Sequence, residues 1–417
     1  MTSELAAQAF VWVHLPGQAE PVVCGRFTQR RTAGGAVGEF VYGRSYLARS
    51  QALAIDPVAL PLQAQVFTAS HLSGWFAVLL DAGPDAWGRR LIDRLHGPQD
   101  PLGYLLHARG QSVGALGFSI AADRPPEAAQ PPAIASLERL LELHRAIEAG
   151  EPVAPEDHDL LLQGTSAGGA RPKTTVGHEG ALWLAKFPSA ADRPDRPPVP
   201  VLEAALLSVA ASCGIRVPRH RVVRVGDAPV LLVERFDRQP LGDGRYSRVA
   251  YASARTLLWS RPEVQQYSFM GSYSNLAHRM REWERAPQED IRELYRRIAF
   301  NCLVGNTDDH DLNTGFLSTG DGFFALSPAF DLTCRPRTPR MFLALGFGRD
   351  GAAVTLENLL SEPQAYGYEV AEAAGMVREQ WDTIHSAVME QLLRHGCPER
   401  LAAQVCAAMP GAAWFPA

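Results

Sequence analysis

The order of apolar and polar positions divides the chain into stretches of different period. Residues 10–16, Phe-Val-Trp-Val-His-Leu-Pro, alternate and end in a turn, which predicts a strand. Val22–Phe27 and Gly38–Tyr42, with a Gly-Gly pair between them, predict two more, so the chain opens on a small antiparallel sheet. Over 74–110 the period becomes helical. Trp75–Leu80 leads into Pro84-Asp85-Ala86-Trp87-Gly88-Arg89-Arg90-Leu91-Ile92, with Asp85 placed to start a helix. Residues 122–133 read as a Pro-rich linker, and 136–149 as a helix with Leu137, Leu140, Leu141 and Leu143 on one face. A Gly-rich turn follows at 164–173, then an apolar strand, Ala181–Phe187, and a Pro-rich loop at 192–200. A helix is predicted over 201–212 with Glu203 in its first turn, and a hairpin from 222–225 and 229–235 bending at Gly226-Asp227. Beyond 252 the pattern is mostly helical, with β-rich inserts near 314–327 and 341–356, and there is no internal repeat.

Composition narrows the class. With 417 residues, 46% of them apolar and 20% charged, the chain can bury the cores of two or three domains. A net charge of −5 does not suit a broad nucleic-acid face. The apolar runs are too short to span a bilayer, and Met1-Thr2-Ser3-Glu4-Leu5 lacks the basic start of a secretory signal. The six cysteines, at 24, 213, 302, 334, 397 and 406, show neither Cys-x-x-Cys nor zinc spacing, so a reducing, cytoplasmic location with scattered thiols is expected. Only two of the 40 basic residues are lysine, Lys173 and Lys186. Arginine does not replace lysine where a compact point charge must reach a phosphate, although two survivors of a codon bias must also fall somewhere.

Four constellations carry candidate chemistry. In Gly164–Lys173, Gly164, Gly168 and Gly169 let the backbone close around an anion, Thr165 and Ser166 add hydroxyls, and Arg171 and Lys173 add charge. The spacing is not that of a Walker loop, and taken alone the segment reads first as a surface loop of Gly, Ser and Arg. Lys186 ends an apolar strand, and Glu203 follows seventeen residues on in a helix. That is the order in which a strand lysine and a helix glutamate orient nucleotide phosphates, or an ordinary strand-end lysine with an unrelated acid. Asn306-Thr307-Asp308-Asp309-His310-Asp311-Leu312-Asn313 crowds three carboxylates behind an apolar helix, where like charges call for a counter-ion and oxygen donors suit Mg²⁺, with a solvated acidic turn as the alternative. Asp331, after a β-run, sits where phosphoryl transfer places a second metal-binding aspartate. Gly346-Phe347-Gly348-Arg349-Asp350-Gly351 matches Gly-x-Gly-x-x-Gly, but no further strand and crossover follow it, so it reads as a hairpin turn.

Together these residues resemble a known family. Ser-Ala-Gly-Gly-Ala-Arg-Pro-Lys (166–173), Leu-Val-Glu-Arg-Phe-Asp-Arg (232–238), Gly-Asn-Thr-Asp-Asp-His (305–310) with Asn313, and Ser-Pro-Ala-Phe-Asp-Leu (327–332) are similar to the motifs of the HipA family of serine/threonine kinase toxins. The N-terminal Val-His-Leu-Pro-Gly (13–17), Leu-Leu-Asp (79–81) and Val-Gly-Ala-Leu-Gly-Phe (113–118) fit too, so the resemblance covers essentially the whole chain. It implies an α+β, bilobal, protein-kinase-like fold: a small β-rich subdomain over 1–121, an α/β nucleotide lobe over 134–238 and an all-α catalytic lobe over 239–417. It implies ATP and Mg²⁺, with Lys186 on the α- and β-phosphates, Asp308 orienting the acceptor hydroxyl, and Asn313 and Asp331 on the metal. Glu234 and Phe236 would meet adenine through their backbone. Ser166, Gly168, Gly169, Ala170, Arg171 and Lys173 would cover the phosphates, with Ser166, or Thr165, autophosphorylated. It implies a protein substrate of translation, commonly an aminoacyl-tRNA synthetase, and a small helix-turn-helix (HipB-like) antitoxin that carries the link to DNA.

One position departs from the family pattern. Leu312 stands before Asn313 where the family usually has Lys or Arg, a cation that would lie near the transferring phosphoryl group. Arg335, just past Asp331, is a candidate replacement. The departure keeps a second reading open, a catalytically weak pseudokinase that binds an antitoxin and aids operon repression. A small-molecule phosphotransferase is a third, against which the N-terminal region speaks.

Overall fold

The computed structural model describes residues 4–108, 112–127, 130–162, 169–260, 271–336 and 338–415. It has the α+β composition expected from the sequence and divides into two compact units, each assembled from three chain segments. The first unit comprises Met1–Ala185, Glu234–Tyr267 and Phe316–Phe324; the second comprises Lys186–Val233, Ser268–Gly315 and Ala325–Ala417.

In the first unit, β1 (Glu4–His14), β2 (Pro21–Thr32), β3 (Gly35–Tyr42), β4 (Val66–Ala69) and β5 (Leu116–Ser119) form an antiparallel sheet in the order β4-β3-β2-β1-β5. The period-2 pattern buries Ala7, Ala9, Val11 and Val13 of β1 on one face. Phe27 and Phe40 lie opposite each other across β2 and β3, and the Phe27 and Trp75 rings are 4.4 Å apart. Glycine is required where β3 meets the segment before the first helix, because a Cβ on Gly38 would stand 1.8 Å from the Gly74 carbonyl oxygen. β4 and β5 escape the sequence reading because each is only four residues long.

Helices α1 (Ala77–Asp81), α2 (Ala86–His96) and α3 (Pro101–His107) follow, and Asp85 caps α2 by accepting the Gly88 N–H at 2.6 Å. Asp81 accepts the Ser253 N–H, the Ser253 hydroxyl and the Thr256 hydroxyl, each at 2.7 Å, and so secures the start of the short helix Ala254–Trp259. α4 (Leu137–Ala149) turns Leu143 and Ile147 onto Trp87 and Leu91 of α2. β6 (Lys173–His178) and β7 (Ala181–Lys186) are neighbours in a sheet.

The second unit holds α5 (Val199–Ser212), the antiparallel hairpin β8 (His220–Val225) and β9 (Ala228–Glu234) as far as Val233, then α6 (Tyr273–Trp283), α7 (Pro287–Val304), α8 (Val370–Arg394) and α9 (Glu399–Ala408). α5 is apolar nearly all round, as a buried helix should be, and α8 packs along it. It starts at Val199, with Pro200 in its first turn, so Glu203 sits in the second turn rather than the first. The insert near 341–356 forms no continuous ladder among the described residues. It pairs through single bridges, Phe342 with Ala353 and Gly348 with Gly351, and the second of these closes a hairpin turn at 346–351.

Candidate active site

β7 is anchored by its buried neighbours Leu182, Trp183 and Ala185, which leave Lys186 at its end. The Lys186 ammonium donates to Glu203 Oε1 at 2.6 Å and to Asp331 Oδ1 at 2.9 Å. Burial by itself would lower the lysine's proton affinity, but the two carboxylates outweigh it and hold the ammonium above its ordinary value. Burial raises Glu203 above the usual carboxyl range while Lys186 opposes the shift. Glu203 Oε1 also accepts the Asp331 backbone N–H at 3.2 Å. Asp331 takes a left-handed backbone, φ +58°, a conformation that aspartate tolerates better than most residues. Glu203 and Lys186 thus fix both the backbone and the carboxylate of Asp331.

The 306–313 cluster follows α7, whose end is capped by Gly305 in a left-handed conformation. Its neighbouring aspartates divide. Asp309 is buried, accepting from the Tyr273 hydroxyl at 2.6 Å and the Ala344 N–H at 2.9 Å, and burial pushes its carboxyl up to about 6. Asp308 points to solvent, its side chain 51% exposed, and accepts from Arg335 Nη2 at 2.9 Å. Asn313 Nδ2 donates to the Asp308 carbonyl oxygen at 2.6 Å, which tightens the turn and fixes the amide so that its oxygen is the end left for a cation. Asn313 lines a cavity of about 30 Å³ together with Phe330 and Leu332, the residues either side of Asp331. Leu312 is exposed.

The remaining predicted site residues that the structure describes belong to the first unit. Lys173 is buried, and its ammonium donates to Asp85 Oδ2 at 2.6 Å. The second carboxylate oxygen of the α2 cap is therefore set by one of the chain's two lysines. The Gly169 carbonyl accepts the Trp87 N–H at 3.2 Å, Ala170 is exposed and Arg171 is half-buried. Glu234 and Phe236 are half-buried on either side of Arg235, whose N–H donates to the Leu182 carbonyl at 2.8 Å. Thr165, Ser166 and Gly168 lie outside the described residues.

The Asp331 carboxylate and the Asn313 amide are oxygen donors of the kind that could hold a hard divalent cation. Among the described residues no group of three or more His, Cys, Asp or Glu is placed to hold a metal ion. Lys186, between the Glu203 and Asp331 carboxylates, is the compact positive charge of this cluster. Sequence reasoning did not separate Asp309 from Asp308, and Tyr273 carried no signal of its own.

Residues 165–392 match the family model of the HipA-like C-terminal domain. The chain belongs to this family. The HipA-like chain is 25% identical over 391 residues to Y4mE of Sinorhizobium fredii (strain NBRC 101917 / NGR234), a protein with a provisional kinase name, and 89% of each chain is covered. It is 27% identical over 165 residues to Y4dM of the same strain, also provisionally named a kinase, with 37% of each covered. Its fold is that of a chain in the structure of the Shewanella oneidensis MR-1 toxin–antitoxin system HipA, HipB and its operator DNA, with a TM-score of 0.66 at 17% identity over 95% of this chain and 94% of that one. The α+β, kinase-like fold class expected from the sequence is thereby borne out. Among the described residues no helix is long and apolar enough to cross a membrane.

Proposed function

We propose that this HipA-like chain is an ATP- and Mg²⁺-dependent serine/threonine protein kinase, the toxin of a toxin–antitoxin pair. The observation that carries the reading is Lys186 held between Glu203 and Asp331, at 2.6 and 2.9 Å. In this reading Lys186 neutralises and orients the α- and β-phosphates, kept in place by Glu203. Asn313 and Asp331 hold the metal, which when bound supplies charge neutralisation at the phosphates. Asp308, exposed on a turn pinned by Asp309, orients the acceptor hydroxyl and accepts its proton. The backbone of Glu234 and Phe236 meets adenine. The 165–173 segment covers the phosphates, with Ser166 or Thr165 as the self-modified hydroxyl. The boundaries that go with this reading are 1–121, 134–238 and 239–417.

A translation component, commonly an aminoacyl-tRNA synthetase, is the substrate class, and the compartment is the cytoplasm. The Shewanella oneidensis structure, with HipA, HipB and operator DNA, supports a HipB-like helix-turn-helix partner that would carry the DNA contact. The test is transfer of labelled phosphate from ATP–Mg²⁺ together with intact mass after expression. The wild-type chain is expected to gain a phosphoryl group and Asp308→Asn is not. Equal, background labelling of both, with ATP still bound, would sink the enzyme reading.

Leu312, in place of a basic residue, favours the second reading, a pseudokinase that partners an antitoxin in repression. That reading predicts no transfer by the wild type and a partner complex indifferent to Asp331→Asn.

A further inference from the structure

The first unit carries a partly open cavity of about 120 Å³ that the kinase reading does not use. Part of its lining is apolar, with Val13, Val78 and Leu116; part is polar, with His14, Arg248 and Tyr251. Arg248 lies on a two-stranded ribbon, Arg238–Pro240 paired with Tyr246–Arg248, directly opposite Arg238. Like charges facing each other across an antiparallel pair repel and call for a counter-ion.

The protein's own counter-ion is already committed. Asp237 accepts from Arg235 at 2.8 and 3.0 Å, from Arg238 at 2.6 Å and from the Gly114 N–H at 2.8 Å. Arg238 further donates to the carbonyls of Ser112, at 2.8 Å, and Gly114, at 3.2 Å. One carboxylate therefore answers three guanidiniums. The third, Arg248, has no hydrogen-bond or ion-pair partner among the described residues, and neither has the Tyr251 hydroxyl. His14 Nδ1 is buried without a hydrogen-bond partner among them too. Burial, then Arg248 and Arg238, push the His14 imidazole down to about 3, so the ring is neutral and adds no charge of its own.

A guanidinium that feels Asp237 only as a shared charge, with no hydrogen bond to it, is best met by a further anion, and its planar fork matches a carboxylate in two parallel hydrogen bonds. Gln239, Ser247, Ser318 and Thr319 also line the cavity, with the Thr319 hydroxyl already given to the Phe323 carbonyl, while the apolar side formed by Val13, Val78 and Leu116 favours a short hydrocarbon tail over a second cluster of oxygens. A cavity of ~150 Å³ holds benzene, so this one suits an acid of about four carbons. We propose that the cavity binds a small aliphatic monocarboxylate, its carboxylate on Arg248 with Tyr251, and its hydrocarbon against Val13, Val78 and Leu116.

The test is calorimetric titration of the full chain with sodium isobutyrate, isobutyramide and inorganic phosphate in turn. One saturable isobutyrate site, at least tenfold tighter than the neutral amide and lost in Arg248→Met, is the expected result. If Arg248→Met fails to fold, the acid-to-amide comparison on the wild type decides alone. Equal binding of acid and amide, preference for phosphate, or no saturable isobutyrate binding with Kd below ~10 mM overturns the assignment.

Discussion

Arg335→Ala isolates how this chain manages with leucine at 312. Arg335 Nη2 lies 2.9 Å from Asp308 Oδ1, and the two side chains are 56% and 51% exposed. At that exposure an ion pair contributes roughly 0–1 kcal/mol to stability, because water screens it and two long side chains must be ordered to make it. Arg335→Ala should therefore leave denaturant unfolding almost unchanged. Its effect on transfer should be larger. A cation beside the proposed acceptor-orienting carboxylate is placed to offset charge developing on the phosphoryl group, the task a basic residue at 312 would perform. Such an interaction is worth roughly 1.4–2.8 kcal/mol to the barrier, or about 10- to 100-fold in rate. The assay is the initial rate of labelled phosphate transfer at saturating ATP–Mg²⁺, with urea unfolding of the same preparations. Arg335→Ala should lose one to two decades in rate, and Leu312→Lys added to it should recover much of that loss. A rate untouched by Arg335→Ala, or one that falls only in step with stability, refutes the substitution of one cation for the other.

Other expectations follow from the buried charges. Lys186→Met leaves Glu203 and Asp331 without the ammonium between them, and is expected to abolish transfer and lower the unfolding free energy by roughly 3–5 kcal/mol, read by denaturant titration. Lys173→Met, which removes the ammonium from the buried Asp85 carboxylate, should cost a similar ~3–5 kcal/mol in the same measurement. Asp309, raised to about 6 by burial, takes up its proton more readily folded than unfolded. Its contribution to stability is therefore full below about pH 4 and is lost as pH rises through about 6, a change of ~3 kcal/mol. Asp309→Asn should remove that slope from the urea midpoints between those pH values, whatever constant offset it adds.

Much of the candidate site could be read residue by residue, because its members interrupt apolar text. Lys186 ends an apolar strand, Glu203 is the lone acid in an apolar helix, and Asp331 closes a β-run. Their convergence was less legible. Lys186 is seventeen residues from Glu203 but 145 from Asp331, and what closes that gap is tertiary packing, which no local period encodes. The aspartate pair shows the same limit. Asp308 and Asp309 are adjacent in the text, and the partners that hold Asp309 inward, the Tyr273 hydroxyl 36 residues upstream and the Ala344 N–H 35 downstream, are both remote in sequence. Nor does composition predict the backbone of Asp331, since a left-handed residue that is not glycine is stabilised by contacts rather than by propensity. Two errors have local causes. Pro200 reads as loop but is tolerated in the first turn of a helix, and the alternation over 341–356 yields isolated bridges rather than a ladder.

The scarcity of lysine gives the chain an unusual chemical handle. Its two side-chain amines are sequestered, Lys173 at 2% exposure and Lys186 at 14%, each against carboxylate. An amine-reactive acylating reagent must wait for an ammonium to leave its acids and give up its proton. Peptide mapping tells the two positions apart, so the acylation rate at Lys186 becomes a clock for how often that trio comes open in solution, with no probe engineered into the protein.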